Sequence, residues 1–250
     1  MTSYVYFVRG ARHAALCNTS IESVRKVDKD ARCIVMTDDV KPDWEVDAMR
    51  YWIEPGMPIM LANLQAQCNA LFVCSPDEPI VFLDTDILLL EKIPALANLT
   101  VTWRDHALVV DEEKVEGVAA QMPYNYGVIV AQFGSRAVES FIFMRERIRR
   151  MHSRYQEWYG NQLALAELCG PRPESGSETV ERRIPWMLTN QGDSVRIAKI
   201  PGEQYNWTPQ KVGEDLTGRA VLHFKGGSRA LMESYAQRLG LNWYVEARAA

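Results

Sequence analysis

The stretch Ile80-Val81-Phe82-Leu83-Asp84-Thr85-Asp86-Ile87-Leu88-Leu89-Leu90 decides how the rest of the chain is read. It places two carboxylates inside an otherwise apolar run, where an unpaired charge is expensive. A cation held by one or both aspartates relieves that cost. Residues two apart point to the same side while the backbone stays extended, so Asp84 and Asp86 are expected to converge. The carboxyl end of a strand in a parallel sheet is also where ligands bind. A bare Asp-x-Asp is common by chance, however, and a strand ending in two solvated aspartates is the plainer alternative.

Upstream, residues 4–8 predict a strand, 14–27 a helix with Leu16, Ile21 and Val24 on one side, 32–36 a second strand and 60–73 a second helix. The strand over 79–83 then runs into Asp84. This β-α-β-α-β order, with strands apolar on both faces, predicts an α/β fold built on a Rossmann-like, mostly parallel central sheet flanked by helices. Downstream, 125–131 predicts a strand and 136–155 one long amphipathic helix. A further helix is expected over 161–169, capped by Asn161 and stopped at Gly170-Pro171. Residues 171–181 predict a loop, and 195–200 and 220–224 late strands. No repeat, low-complexity tract or clean boundary interrupts the chain, so one domain is expected.

The 250 residues are 47% hydrophobic and 24% charged, enough for a sizeable core. A net charge of -4 argues against a surface that grips nucleic acid mainly through phosphates. Five scattered cysteines without a CxxC pair fit reduced thiols in a cytoplasmic protein. The first residues lack a signal-peptide pattern, and the longest apolar run is too short to cross a bilayer.

A second segment, Val221-Leu222-His223-Phe224-Lys225-Gly226-Gly227-Ser228-Arg229, follows a strand with an imidazole, a glycine pair and two cations. A lone histidine is more often structural than a ligand. Two carboxylates and one imidazole, Asp84, Asp86 and His223, nonetheless make half a coordination shell for Mn²⁺ or Mg²⁺, which diphosphate oxygens and water complete. Lys225 and Arg229 then neutralise the diphosphate.

These segments together resemble the A-type (GT-A) nucleotide-sugar glycosyltransferases, and among them the family 8 group of glycogenin and the lipopolysaccharide galactosyltransferases. VFLDTDILLL resembles the metal-binding strand of that family. Tyr124-Asn125-Tyr126-Gly127-Val128 resembles its FNSGV segment, Gly160-Asn161-Gln162 its Asp-Gln helix start, and Ile200-Pro201 through Tyr205-Asn206 its LPxxYN stretch. His223-Phe224-Lys225-Gly226 with Arg229 resembles HFxGxxKPW. The matches run in order along most of the chain.

The resemblance implies a GT-A fold with a nucleotide-binding half (1–90) and an acceptor half (91–250), from which His223 returns to the metal. It implies a UDP-sugar donor, a hydroxyl-bearing acceptor and retention of anomeric configuration. It also implies a donor site including Asp84, Thr85, Asp86, Asn125, Tyr126, His223, Lys225, Gly226 and Arg229, with Asn125, Asn161 and Gln162 beside the transferred sugar. Val8, Arg9 and Asp38, at the ends of the first two strands, are candidate contacts for base or ribose.

This sequence departs from the family pattern in having Asn161 for Asp, Arg229 for Lys, Ala230-Leu231 for Pro-Trp, and Asn63, Gln65 and Gln67 where a basic residue is usual. A nucleotidyltransferase and a nucleotide-sugar-binding protein without turnover are the alternatives. A DNA acceptor is less favoured, its sole hint being the arginines at 145, 147, 149, 150 and 154. Trp186 and Trp207 are further candidates for stacking on sugar.

Overall fold

The central strands are apolar at successive positions because helices cover both faces of their sheet. In the computed structural model, which describes residues 1–37, 47–50, 56–75, 77–104, 122–132, 135–184 and 194–244, β1 (Ser3–Val8) turns Tyr4, Tyr6 and Val8 to one side and Val5 and Phe7 to the other. Helix α1 (Ala11–Val27) leads to β2 (Arg32–Thr37) and β3 (Asp47–Arg50). Helix α2 (Ile59–Val73) leads to β4 (Pro79–Leu83), whose Ile80 and Phe82 alternate with Val81 and Leu83 in the same two-sided way. Each such side chain, fully buried, contributes on the order of 1.5–3 kcal/mol.

The chain continues through β5 (Ile87–Leu89), β6 (Leu99–Trp103), β7 (Tyr124–Gln132), α3 (Ser135–Arg150), α4 (Ser153–Glu157) and α5 (Gly160–Cys169). It ends with β8 (Glu178–Arg183), β9 (Ser194–Pro201), α6 (Gly202–Tyr205), β10 (Val221–His223), a 3-10 turn over Gly226–Leu231 and α7 (Met232–Arg238).

Eight strands form one sheet in the order β3-β2-β1-β4-β7-β6-β9-β8. Six run the same way, while β7 and β8 run opposite to their neighbours. The expected α/β fold with a mostly parallel sheet in a single domain is therefore observed. Because β7 is reversed, its first residues lie at the carboxyl ends of β4 and β6. The registers are Leu83↔Val128, Thr102↔Asn125 and Trp103↔Tyr124. Its pairing with β6 jumps between Val101 and Thr102, leaving Tyr126, Gly127 and Val128 out of the ladder as a bulge.

Four expectations need correction. The backbone does not stay extended through Asp84-Thr85-Asp86: β4 ends at Leu83, the chain turns, and β5 joins β10 in a separate two-stranded sheet. The helix expected over 136–155 is two helices, because His152 adopts an extended conformation and accepts the Arg154 amide through its ring to start α4. Part of the expected loop at 171–181 belongs to β8, an edge strand whose charged residues hid it. Tyr159, not Asn161, occupies the cap position of α5, with a left-handed backbone (φ 65) rare for a residue with a side chain.

Candidate functional site

The turn after β4 and the pairing of β5 with β10 bring residues 84, 86 and 223 together. Asp84 donates its amide to the Gly127 carbonyl (2.9 Å), prolonging the β4–β7 ladder by one step. One residue after Asp86, β5 begins, and its Ile87 lies opposite His223 on β10. The Phe224 amide then donates to the Asp86 carbonyl at 2.8 Å. The result places His223 Nε2 3.4 Å from Asp84 Oδ2 and 3.2 Å from Asp86 Oδ1. One ligand atom from each of the three lies within 4.8 Å of the others.

A chain of hydrogen bonds determines which nitrogen of His223 faces the carboxylates. The Gly127 amide can only donate, and it does so to Asn125 Oδ1 (2.8 Å). That oxygen also receives Asn206 Nδ2 (3.1 Å), which donates its second hydrogen to Thr102 Oγ1 (2.7 Å). The carbonyl of Asn206 is thereby turned to His223 Nδ1 (2.9 Å), which carries the proton. Nε2 is left with a bare lone pair aimed at two carboxylate oxygens. Three electron-pair donors facing one another fit a divalent cation, and an imidazole oriented through its far nitrogen is the usual support for such a ligand.

Gly127 completes the cradle. A Cβ there would stand 2.2 Å from His223 Cε1 and 2.7 Å from Asp84 Oδ2, so only glycine admits both ligands.

The charges are finely opposed. The Asp84 side chain keeps 45% of its surface open, yet its carboxyl is pushed up to about 7 by burial and then by Asp86, against the pull of Lys225 and Arg229. Burial works against the charge on Asp86 as well, but the His223 ring whenever it carries a second proton, and the Arg229 guanidinium throughout, hold it below the ordinary carboxylate range. Burial and then Lys225 lower His223 to about 4, so its ring is neutral and the Arg229 guanidinium, Nε 2.6 Å from Asp86 Oδ2, sustains the Asp86 charge. Lys225 is lowered to about 7 by burial and then by Arg104, with Asp84 and Asp86 opposing.

The remaining candidates are placed as follows. Thr85 is buried, its hydroxyl 3.2 Å from His13 Nδ1 on α1. Tyr126 is buried and donates its hydroxyl to Gln67 Oε1 at 2.6 Å. Asn125 lies behind His223 with its carbonyl used twice within the protein. Asn161 Oδ1 accepts the Gln162 amide (2.8 Å), and Gln162 Oε1 accepts the Arg104 guanidinium. Gly226 is exposed, with φ 52. Val8 ends β1 with its side chain in the core, and exposed Arg9 donates to the Met57 carbonyl (3.3 Å). Trp207 is engaged by Glu214 (3.1 Å) and by Arg219 stacked 4.0 Å from its ring centre. Asp38 and Trp186 lie outside the described residues.

Several contributors were not singled out as site residues from the sequence: Thr102, Asn206 and Gly127 behind the histidine, and Arg104 beside Gln162; Asn63 was noted only as standing where a basic residue is usual. The Asn63 Oδ1 is buried without a partner among the described residues, and Asn63 and Asp84 line the same recess between α2 and the sheet. The LPxxYN and FNSGV resemblances contain Asn206 and Gly127, and were the available signal for those two. The arginine-rich helix is largely compensated, with Arg145 and Arg149 on Glu146 and Arg147 on Glu167.

No protein-family model matches the sequence, and no curated protein matches it. Solved structures do. The galactosyltransferase LgtC, in complex with donor and acceptor sugar analogues, aligns over 99% of this chain and 98% of its own at a TM-score of 0.56 and 12% identity. A glycosyltransferase involved in glycosylating the major capsid of PBCV-1 aligns over 95% and 98%, at 0.54 and 11%. The glycosyltransferase GlyE of Streptococcus pneumoniae TIGR4 aligns over 94% of this chain and 61% of its own, at 0.57 and 12%. The chain therefore has the fold of the GT-A glycosyltransferases. Within that fold it carries an Asp84-Asp86-His223 group suited to a divalent metal.

Proposed function

We propose that the protein is a metal-dependent glycosyltransferase that moves a hexose from a nucleoside-diphosphate sugar, of the UDP type, to an acceptor hydroxyl with retention of configuration. The observation that carries this reading is the convergence of Asp84, Asp86 and the bare Nε2 of His223 on one point. The full-length fold likeness to glycosyltransferases supports it. So does the position of the group at the carboxyl edge of the sheet. Residues 1–90 would hold the nucleotide, and 91–250 would supply the acceptor side.

Mn²⁺ or Mg²⁺ held by the three ligands supplies Lewis-acid stabilisation of the leaving diphosphate. Lys225 and Arg229 offset the negative charge that develops on it. In keeping with retention, the acceptor hydroxyl attacks C1 on the face the diphosphate leaves. Its proton passes to the departing phosphate oxygen, the C1–O bond to phosphate breaks and the new glycosidic bond forms. Asn161 and Gln162 orient the sugar, and Asn125 acts from behind, through Asn206 and His223. The five cysteines are buried and form no disulfide, which accords with a reducing, cytoplasmic setting. Among the described residues no helix is long and apolar enough to cross a membrane.

The test is nucleoside diphosphate release from a panel of nucleotide sugars with Mn²⁺, with and without EDTA. Metal-dependent release supports the reading, and turnover unchanged by EDTA refutes the metal assignment. Pyrophosphate release would identify nucleotidyl transfer, and tight donor binding without turnover a binding protein.

A further inference from the structure

Trp158 keeps 60% of its surface open, although an indole gains more than most side chains from leaving water. The turn between α4 and α5 holds it there. The Trp158 amide donates to the Arg154 carbonyl (2.9 Å) and closes α4. Tyr159 then takes a left-handed backbone (φ 65), which a residue with a side chain adopts only at a cost. Gly160 follows so close to the preceding chain that a Cβ would stand 2.1 Å from the Tyr155 carbonyl. The indole meets the Tyr159 ring edge-on, with centroids 5.3 Å apart at 67°, and this contact steadies an otherwise open ring.

The turn lies at the carboxyl edge of the sheet, as the metal ligands do. Glu157 Oε2 accepts the Ile59 amide (3.3 Å) at the start of α2, and Arg9, one residue past β1, reaches the Met57 carbonyl beside it. On the inner side, Asn161 and Gln162 follow Tyr159 directly, and Gln162 meets Arg104. Electrostatics gives the same series: burial lowers Arg104, the Tyr159 phenol opposes that, and Arg104 in turn presses on Lys225. Trp158, Tyr159, Arg104 and Lys225 thus run from the surface to the metal group. Phe72, Val73 and Leu96, also exposed, lie at the opposite edge of the sheet, at the end of α2 and ahead of β6.

The transferred sugar is placed at Asn161 and Gln162, and an acceptor reaches it from solvent, where Trp158 stands. A pyranose presents a face of C–H groups and a rim of hydroxyls. The indole matches the face, and the exposed polar residues around it in sequence, His152, Ser153, Arg154 and Glu157, match the rim. Within α4 and this turn the open apolar area is one ring, whereas a protein partner or an acyl chain requires continuous apolar surface.

We propose that Trp158, braced by Tyr159, is a stacking platform for a pyranose ring of the acceptor, so that the acceptor is a saccharide. This rests on the glycosyltransferase reading and names the class of its acceptor.

The experiment is calorimetric titration of the protein loaded with Mn²⁺ and UDP. The titrants are methyl β-galactoside, methyl β-glucoside, methyl α-mannoside, lactose, cellobiose and maltose, with glycerol and a tyrosine-containing peptide as hydroxyl compounds of other classes. Wild type, Trp158→Ala and Trp158→Phe are compared, and thermal melts check folding, which replacement of an exposed ring should not impair. Wild type is expected to bind at least one saccharide. Trp158→Ala should bind it about tenfold more weakly, and Trp158→Phe should retain part of the affinity, with UDP bound equally by all three. Failure of every saccharide to bind wild type overturns the proposal, as does saccharide affinity that survives in Trp158→Ala. Saccharide and UDP affinity falling together in Trp158→Ala would make the indole a support for the whole site and also overturns it. Binding of the peptide in place of the saccharides does the same. If UDP fails to bind wild type at all, the glycosyltransferase reading itself fails, which is a separate result.

Discussion

Replacing Asn206 by alanine should weaken metal binding without touching any of the three ligands. Asn206 holds His223 Nδ1–H at 2.9 Å and is itself held by Thr102 (2.7 Å) and Asn125 (3.1 Å). Removing the amide frees the imidazole to rotate or to move its proton to Nε2, the nitrogen that must stay bare to bind an ion. Loss of such an outer partner typically costs ~10–100-fold in metal affinity. The variant also strands a buried ring N–H, a destabilisation of about 1–3 kcal/mol, while the Thr102 hydroxyl keeps its bond to the Asn125 backbone carbonyl (3.4 Å). For a chain of this size each 1 kcal/mol lowers the melting temperature by roughly 2–4 °C. Mn²⁺ titration followed by the EPR signal of the free ion, with circular dichroism to confirm the fold, measures both effects. A folded Asn206→Ala protein with unchanged Mn²⁺ affinity would refute the argument that the Gly127–Asn125–Asn206 relay sets the tautomer of His223.

Three further outcomes are expected. Gly127→Ala should abolish Mn²⁺ binding in calorimetry while the far-ultraviolet spectrum persists, because the added methyl would meet the His223 ring at 2.2 Å; normal affinity would show that β7 can retreat. Asp86→Asn should eliminate nucleoside diphosphate release and leave Arg229 without its carboxylate, at little cost to folding; near wild-type turnover would count decisively against the metal site. Mn²⁺ affinity should climb as pH rises from about 6 to about 8 and then level off, since Asp84, raised to about 7, holds a proton below that pH that the ion must displace, whereas His223, lowered to about 4, is already neutral. Affinity that is flat across this window in calorimetry would contradict that order of protonation.

Much of this was legible in the sequence for a definite reason. Strands such as 79–83 and 125–131 are buried on both faces and read as continuous apolar runs, and α1, α2 and α5 carry enough periodicity or clear stops to fall within a few residues of their expected ends. The pairing of Asp84, Asp86 and His223 could be proposed because charged and imidazole groups stand out against apolar flanks. What stayed hidden depends on long-range geometry. The turn at 84–86 arises because Ile87–Leu89 pairs with a strand far along the chain, which no local pattern records. Strand β8 is an edge whose Glu and Arg residues face solvent, so it reads as loop. Arg104 and Thr102 look ordinary in sequence, and their importance comes from what β7 and α5 bring beside them.

The ribbon formed by β5 and β10 makes cation binding and chain closure a single thermodynamic event. Asp84 and Asp86 arrive with the first half of the fold, but His223 reaches them only once residues 221–223 have zipped onto 87–89. An ion that prefers the completed trio must therefore tighten the ribbon by the same free energy that the ribbon contributes to holding the ion. The metal acts as a clasp between two remote stretches of chain, and whatever loosens one end of it releases the other.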